Sequence, residues 1–249
     1  MRKLVAVIAC RNKGSRLYGK PLQNLNIENG WTILDQIIFS LSNINCIDEL
    51  VLAVSEGVEN DIYEEYASSK NLNCIRGDQV DVLGRLIKGL DYVNGTDLFR
   101  VTSESPFPLL SGVNNDWLKH KKFNFDASFL DDIIDGCGFE IISREALKTS
   151  WNKGNSKHRS ELCSLYIREN KKNFKINQIE ANDKLKRKDI RLTVDYPEDL
   201  VVCREIYNKF VKNNNDFDLL DLIKYIDEQS RLKSLISPYC DEGYKSMYL

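Results

Sequence analysis

Between Arg11 and Leu22 the chain carries four cations, Arg11, Lys13, Arg16 and Lys20, two glycines, Gly14 and Gly19, and no acid. A triphosphate bears about four negative charges near neutral pH, and glycines let main-chain N–H groups reach its oxygens while Arg and Lys add charge-assisted hydrogen bonds. The plainer reading of the same residues, Ser15 among them, is a solvated basic turn between a strand and a helix. A second segment, Arg76-Gly77-Asp78-Gln79-Val80-Asp81-Val82-Leu83-Gly84-Arg85, reads as a strand end, a turn and a helix start. Asp78 is placed to cap that helix and Asp81 to favour its positive N-terminus. Two acids stand apart from these: Glu104, in the turn Ser103-Glu104-Ser105-Pro106, and Asp195, in Leu192-Thr193-Val194-Asp195-Tyr196-Pro197-Glu198-Asp199-Leu200. Asp195 with Glu198 has the spacing of a capping box that opens a helix at Pro197. Glu140, His158 and Arg159 complete the candidates. Arg grips carboxylate or phosphate bidentately, whereas a lone His more often packs than reacts.

The elements that must position these residues are legible from periodicity. Short apolar runs at 4–10, 49–53 and 98–101, with a further one around 72–75, read as buried strands. Ile33, Leu34, Ile37, Ile38 and Leu41 share one helical face behind Thr32 as N-cap, and Val82, Leu83, Leu86, Ile87 and Leu90 do the same behind Asp78. A helix from 197 to about 212 buries Val201, Val202, Ile206 and Phe210. Strands alternating with helices imply βαβ units and a mainly parallel sheet, whose ligands bind beyond the carboxyl ends of the strands. From about 111 to 180 the pattern is less regular and reads as an excursion from the sheet, offered as a partner-subunit surface. The tail from 230 to 249 receives no role.

Composition bounds the rest. The chain has 249 residues, 42% of them hydrophobic, which is ample for one α/β domain. Its 35 basic and 37 acidic residues nearly cancel, so a field that gathers an anion must be local, and bulk nucleic-acid binding is not expected. No apolar stretch is long enough for a membrane span, and the first is too short for a signal peptide, so a cytoplasmic protein is expected. Seven scattered cysteines, no C-x-x-C pair and two histidines argue for reduced, packed thiols over a disulfide framework or a zinc site.

The loop Arg11, Gly14, Ser15, Arg16, Leu17, Gly19, Lys20, Pro21, Leu22 resembles the signature A-R-x-x-S-x-R-L-P-G-K-P-L of the SpsF and CMP-KDO synthetase cytidylyltransferases, with Tyr18 in place of the family's Pro. The segment 76–85 is similar to the SpsF stretch R-G-x-x-x-D-V-L-x-R. Residues 100–106 resemble R-x-T-G-D-x-P, with Glu104 for Asp and Ser103 for Gly, and 192–200 resemble L-T-V-D-x-P-E-D-L. Residues 136–147 resemble G-x-x-x-E-x-x-S-x-x-A-L, while around Lys157-His158-Arg159-Ser160-Glu161 the order departs from the family's R-E-H-V-T.

The resemblance implies a Rossmann-like, GT-A-like nucleotidyltransferase fold, a homodimer, and transfer of CMP from CTP to an acidic small molecule with release of pyrophosphate. It assigns Arg11, Arg16 and Lys20 to the triphosphate, with Gly14 and Ser15. Gly77, Asp78, Asp81, Arg85 and Arg100 fall on the nucleotide side and Glu140, His158 and Arg159 on the acceptor side. Glu104 and Asp195 become the pair that holds Mg²⁺, and Arg11, Lys20 and Asp195 the catalytic residues. The acceptor expected is a 2-keto sugar acid or a phosphate or phosphonate compound. Two rivals stand beside this. A GT-A glycosyltransferase predicts a D-x-D after a strand, which Ser103-Glu104-Ser105 does not supply. A catalytically lapsed nucleotide-binding protein predicts CTP binding without pyrophosphate release, and Glu104 is its best support.

Overall fold

The computed structural model describes residues 2–14, 16–212 and 217–241. In chain order its elements are β1 (Leu4–Cys10), the ribbon β2 (Asn24–Asn26) and β3 (Trp31–Thr32), α1 (Ile33–Ser42), β4 (Glu49–Ser55), α2 (Asp61–Ser69), β5 (Asn73–Gly77), α3 (Val82–Tyr92) and β6 (Asp97–Arg100). There follow α4 (Val113–Phe123), β7 (Ala127–Leu130), β8 (Phe139–Ser143), α5 (Arg144–Lys153), α6 (Leu165–Glu169), β9 (Ile176–Gln178), α7 (Pro197–Ile206), α8 (Leu219–Glu228) and α9 (Ser230–Ile236).

Seven strands form one sheet in the order β5-β4-β1-β6-β8-β7-β9. All neighbours are parallel except β8, which runs against both β6 and β7. From β1 the chain builds outward through β4 and β5, then returns to lay β6 on β1's other side. The order therefore reverses at β1, and the crevice beyond Cys10 is the topological switch point. β1 is central because both its faces are apolar. Leu4, Ala6, Ile8 and Cys10 enter one core with Ile33, Tyr63, Trp117 and Leu232, while Val5 and Val7 enter the other with Leu83, Leu86, Leu90 and Leu147. A strand buried on both sides reads as an unbroken apolar run, the habit of parallel sheets.

Several expectations are corrected. Residues 111–180 are no excursion: they supply β7, β8 and β9, so part of the sheet comes from the stretch whose charged surface helices mask the strand pattern. α3 is capped by Asp81, whose Oδ1 accepts the Gly84 amide at 2.7 Å. Asp78 instead shapes the preceding turn by accepting the amides of Val80 and Asp81. α7 is capped by Asp199, which accepts the amides of Asp195 and Tyr196, both at 2.9 Å, so the box of Asp195 with Glu198 does not form. Val201 lies outward at 41% exposure on that helix. The stretch before Asp195 forms no strand, only the isolated bridge between Asp135 and Arg191. Thr32 does cap α1, in a capping box with Asp35.

Candidate active site

The cationic loop hangs from the end of β1 and is held by backbone geometry more than by its charges. Asn12, buried, donates its amide to Asn60 Oδ1 at 2.8 Å and accepts the Gly19 amide at 2.8 Å, which closes the loop on itself. The Tyr63 hydroxyl donates to the Arg11 carbonyl at 3.2 Å. At Gly14 a Cβ would stand 2.4 Å from the Leu17 carbonyl oxygen, so no larger residue fits that turn. The Lys20–Leu22 turn then brings Lys20 round to face the 190–200 segment. Ser15 lies outside the described residues.

Across the cleft Asp195 receives this loop. Lys20 Nζ donates to Asp195 Oδ1 at 2.6 Å and Arg16 Nη2 to the same oxygen at 3.0 Å, while the Arg16 guanidinium lies 4.9 Å from the Tyr196 ring centroid. Because Asp199 takes over the capping work, the Asp195 carboxylate is left to face these cations. Burial would raise its pKa, but the Lys20 hydrogen bond and the charges of Lys20, Arg16 and Arg191 together hold it below the usual carboxylate value.

Glu104 is brought alongside by main chain. Its carbonyl accepts the Val194 amide at 2.9 Å, and Ser105 Oγ donates to Thr193 Oγ1 at 3.1 Å, so the turn after β6 is stitched to the segment that ends in Asp195. Ser103 Oγ donates to Glu104 Oε2 at 3.0 Å. Burial raises the Glu104 pKa and the negative charges of Asp195 and Glu161 add to it, against the pull of Lys20. Two carboxylates thus share the field of one ammonium. Among the described residues no three His, Cys, Asp or Glu side chains gather as a metal cage. A pair of carboxylates is the donor set that suits Mg²⁺, which keeps waters and substrate phosphates in its remaining positions.

The other candidates divide. Arg11 pairs with Glu161, whose carbonyl also accepts from Arg100 Nη2 at 2.9 Å. Gly77 ends β5 opposite Ser55, and its carbonyl accepts the Glu56 amide. Arg85 is only 2% exposed and donates to the carbonyls of Cys10 and Ala53, so it ties together the ends of β1 and β4 beneath the crevice. Asp81 accepts from Trp151 Nε1 at 2.6 Å, and Arg159 stacks over that indole at 4.5 Å, which joins the turn after β5 to the segment around residue 159.

Glu140 and His158 have internal partners. Glu140 takes Arg100 at 2.8 Å, Arg168 at 2.8 Å and Ser164 at 2.6 Å; burial is outweighed by the two guanidiniums, and its pKa falls to about 2. His158 Nδ1 accepts the Asn155 amide and its Nε2 meets Glu169 at 2.8 Å, closing its own turn. Sequence reasoning missed Asn12, Asn60, Asp135 and Arg191. A polar residue wedged in an apolar run, such as Arg191 between Ile190 and Leu192, was the available signal.

No protein-family model matches the chain. It is 26% identical over 245 residues to the uncharacterized protein MJ1063 of Methanocaldococcus jannaschii, covering 98% of this chain and 99% of that protein. It is 25% identical over 216 residues to the spore coat polysaccharide biosynthesis protein SpsF of Bacillus subtilis, covering 84% of this chain and 88% of that protein. Among solved structures, a cytidylyltransferase from Leptospira borgpetersenii superposes with a TM-score of 0.82 at 21% identity, over 95% of this chain and 98% of that one. CMP:2-keto-3-deoxy-manno-octonic acid synthetase complexed with CTP gives a TM-score of 0.62 at 13% identity, over 83% of this chain and 99% of that one. The resemblance read from the motifs is borne out as a likeness: the chain is similar to SpsF over most of its length and has the fold of the solved cytidylyltransferase and of the synthetase.

Proposed function

We propose that this chain is an Mg²⁺-dependent cytidylyltransferase that joins CMP from CTP to an acidic small molecule and releases pyrophosphate. The observation that carries the reading is the meeting of Lys20 and Arg16 with Asp195 at the switch point of the sheet. A loop of cations and a half-buried carboxylate lie within hydrogen-bond reach, where α/β sheets bind their ligands. The likeness to a cytidylyltransferase and to a synthetase complexed with CTP supports the choice of nucleotide.

In this reading the cations change partners. Arg11, Arg16 and Lys20 turn from Glu161 and Asp195 to the triphosphate, and the amides around Gly14 line its path. Asp195 and Glu104 are the residues that would hold Mg²⁺, and Lys20 occupies Asp195 Oδ1 as a stand-in cation. Mg²⁺ supplies charge neutralisation at the transferring phosphorus, the main demand of an in-line displacement. The acceptor's own oxygen attacks, so no covalent protein intermediate is required. The turn at Gly77 and Asp78 lies on the base side, and Arg159 on its indole is the acceptor-side group that meets the acid. We further propose a cytoplasmic homodimer; no helix among the described residues is long and apolar enough to cross a membrane.

The test is a pyrophosphate-release screen with CTP and UTP against sugar acids, phosphonates and phosphate esters. Release with CTP and one acidic class is the expected result. CTP binding with no release from any acceptor would favour a lapsed nucleotide-binding protein, and no CTP binding at all would remove the reading.

A further inference from the structure

One buried guanidinium connects the carboxyl-terminal part of the chain to Asp195. Arg191 is 1% exposed and is surrounded by three carboxylates. Its Nη2 holds Asp195 Oδ2 at 2.8 Å, while its Nε lies 3.2 Å from Asp199 Oδ1 and 3.9 Å from Asp135 Oδ2. Its Nη1 donates to the Tyr239 carbonyl at 2.8 Å. The Tyr239 ring stacks on Tyr196, with centroids 3.9 Å apart at 16°. Gly136, at φ +90°, lets this arrangement close, because a Cβ there would fall 2.7 Å from Leu192 C and Thr193 N. The Asp135 carboxylate accepts no hydrogen bond among the described residues, so its buried charge is answered by Arg191 alone at ion-pair distance.

A buried guanidinium is costly unless it is well paired, and here the pairing also divides the labour on Asp195. Arg191 takes Oδ2 from behind, whereas Lys20 and Arg16 take Oδ1 from the cleft. Only Oδ1 faces groups that a triphosphate can draw away.

We propose that Arg191 is the positioning residue of Asp195. It fixes the carboxylate through Oδ2 so that Oδ1 alone is presented to a cation, and its bond to the Tyr239 carbonyl makes the Ser237–Tyr239 turn a structural part of the site. This rests on the reading of Asp195 as a metal ligand. Outer partners that orient metal ligands are typically worth about 10- to 100-fold in metal affinity.

The test uses the full chain, with Mn²⁺ as probe, followed by its free-ion paramagnetic resonance signal in the presence of a CTP analogue with a methylene bridge between the α- and β-phosphates. Analogue affinity in EDTA is measured separately by calorimetry, and each variant is melted to establish folding. Arg191→Lys keeps a cation in the pocket but spans fewer carboxylates; it should weaken Mn²⁺ by about 10-fold or more and leave metal-free analogue affinity within about threefold. Arg191→Met should weaken Mn²⁺ further, and if it fails to fold the Lys variant carries the test. Unchanged Mn²⁺ affinity in folded Arg191→Lys, or equal loss of both affinities, would overturn the proposal. A wild-type protein that takes up no Mn²⁺ would instead remove the metal reading on which it stands.

Discussion

Two clusters of acids and cations lie along the carboxyl edge of this sheet, and they are built for opposite purposes. Around Glu140 the charges are closed on one another: Arg100, Arg168 and Ser164 satisfy the carboxylate, and Asp131 accepts both Arg168 amino groups. Around Asp195 the behind-side oxygen is held by buried Arg191, but the cleft-side oxygen is held by Lys20 and a half-exposed Arg16 on a loop. Residue types alone do not separate the clusters. What separates them is one exposed member: Arg16 is 40% exposed on its loop, whereas Lys20, Arg100 and Arg168 are all 20% exposed or less. In the proposed function the first cluster stabilises the fold and the second opens to a ligand.

The largest effect that sharpens this contrast is expected from Glu140→Gln. It strands Arg100 at the end of β6, and breaking a buried pair typically costs about 3–5 kcal/mol. For a chain of this size that is a fall in Tm of roughly 10 °C, while CTP affinity should change little. The pH dependence has a definite sign. The folded pKa of about 2 lies below the ordinary value of 4.5, so the stabilisation is complete above the ordinary value and is lost as pH falls toward 2. Melts between pH 5 and 3 should therefore show a steeper loss for the wild type than for the Gln variant. Equal slopes would break the assignment of this cluster to stability.

A smaller effect is expected from Lys20→Ala. In the proposed site it removes a charge-assisted hydrogen bond to phosphate worth about 1.5–3 kcal/mol, or roughly 10- to 100-fold in CTP affinity by calorimetry. Unchanged affinity would mean that the loop is no phosphate cradle.

Much of the architecture could be read in the letters, for reasons these residues make plain. The apolar run of β1, buried on both faces, and the helical stripes of α1 and α3 carry strong periodicity, and the loop after β1 concentrates charge within a few residues. The sheet's far half was hidden. β7 and β9 are four and three residues long, and the basic run of α4 breaks up the pattern around them. Capping was half legible: D-x-x-E was visible at Asp195, but Asp199 caps α7, a choice made by tertiary packing around Arg191. Glu140 and His158 are candidates by type and position, and nothing local in the sequence reveals that Arg168 and Glu169 occupy them.

In the proposed function Asp195 competes with a triphosphate for Lys20 and Arg16 and is also the group that recruits the metal. The direct measurement is calorimetric CTP affinity, with EDTA and with Mg²⁺, for the wild type and Asp195→Asn. Because the Asn variant frees both cations, it should bind CTP in EDTA at least as tightly as the wild type and gain little when Mg²⁺ is added. Weaker metal-free binding, or a Mg²⁺ gain equal to that of the wild type, would contradict the account.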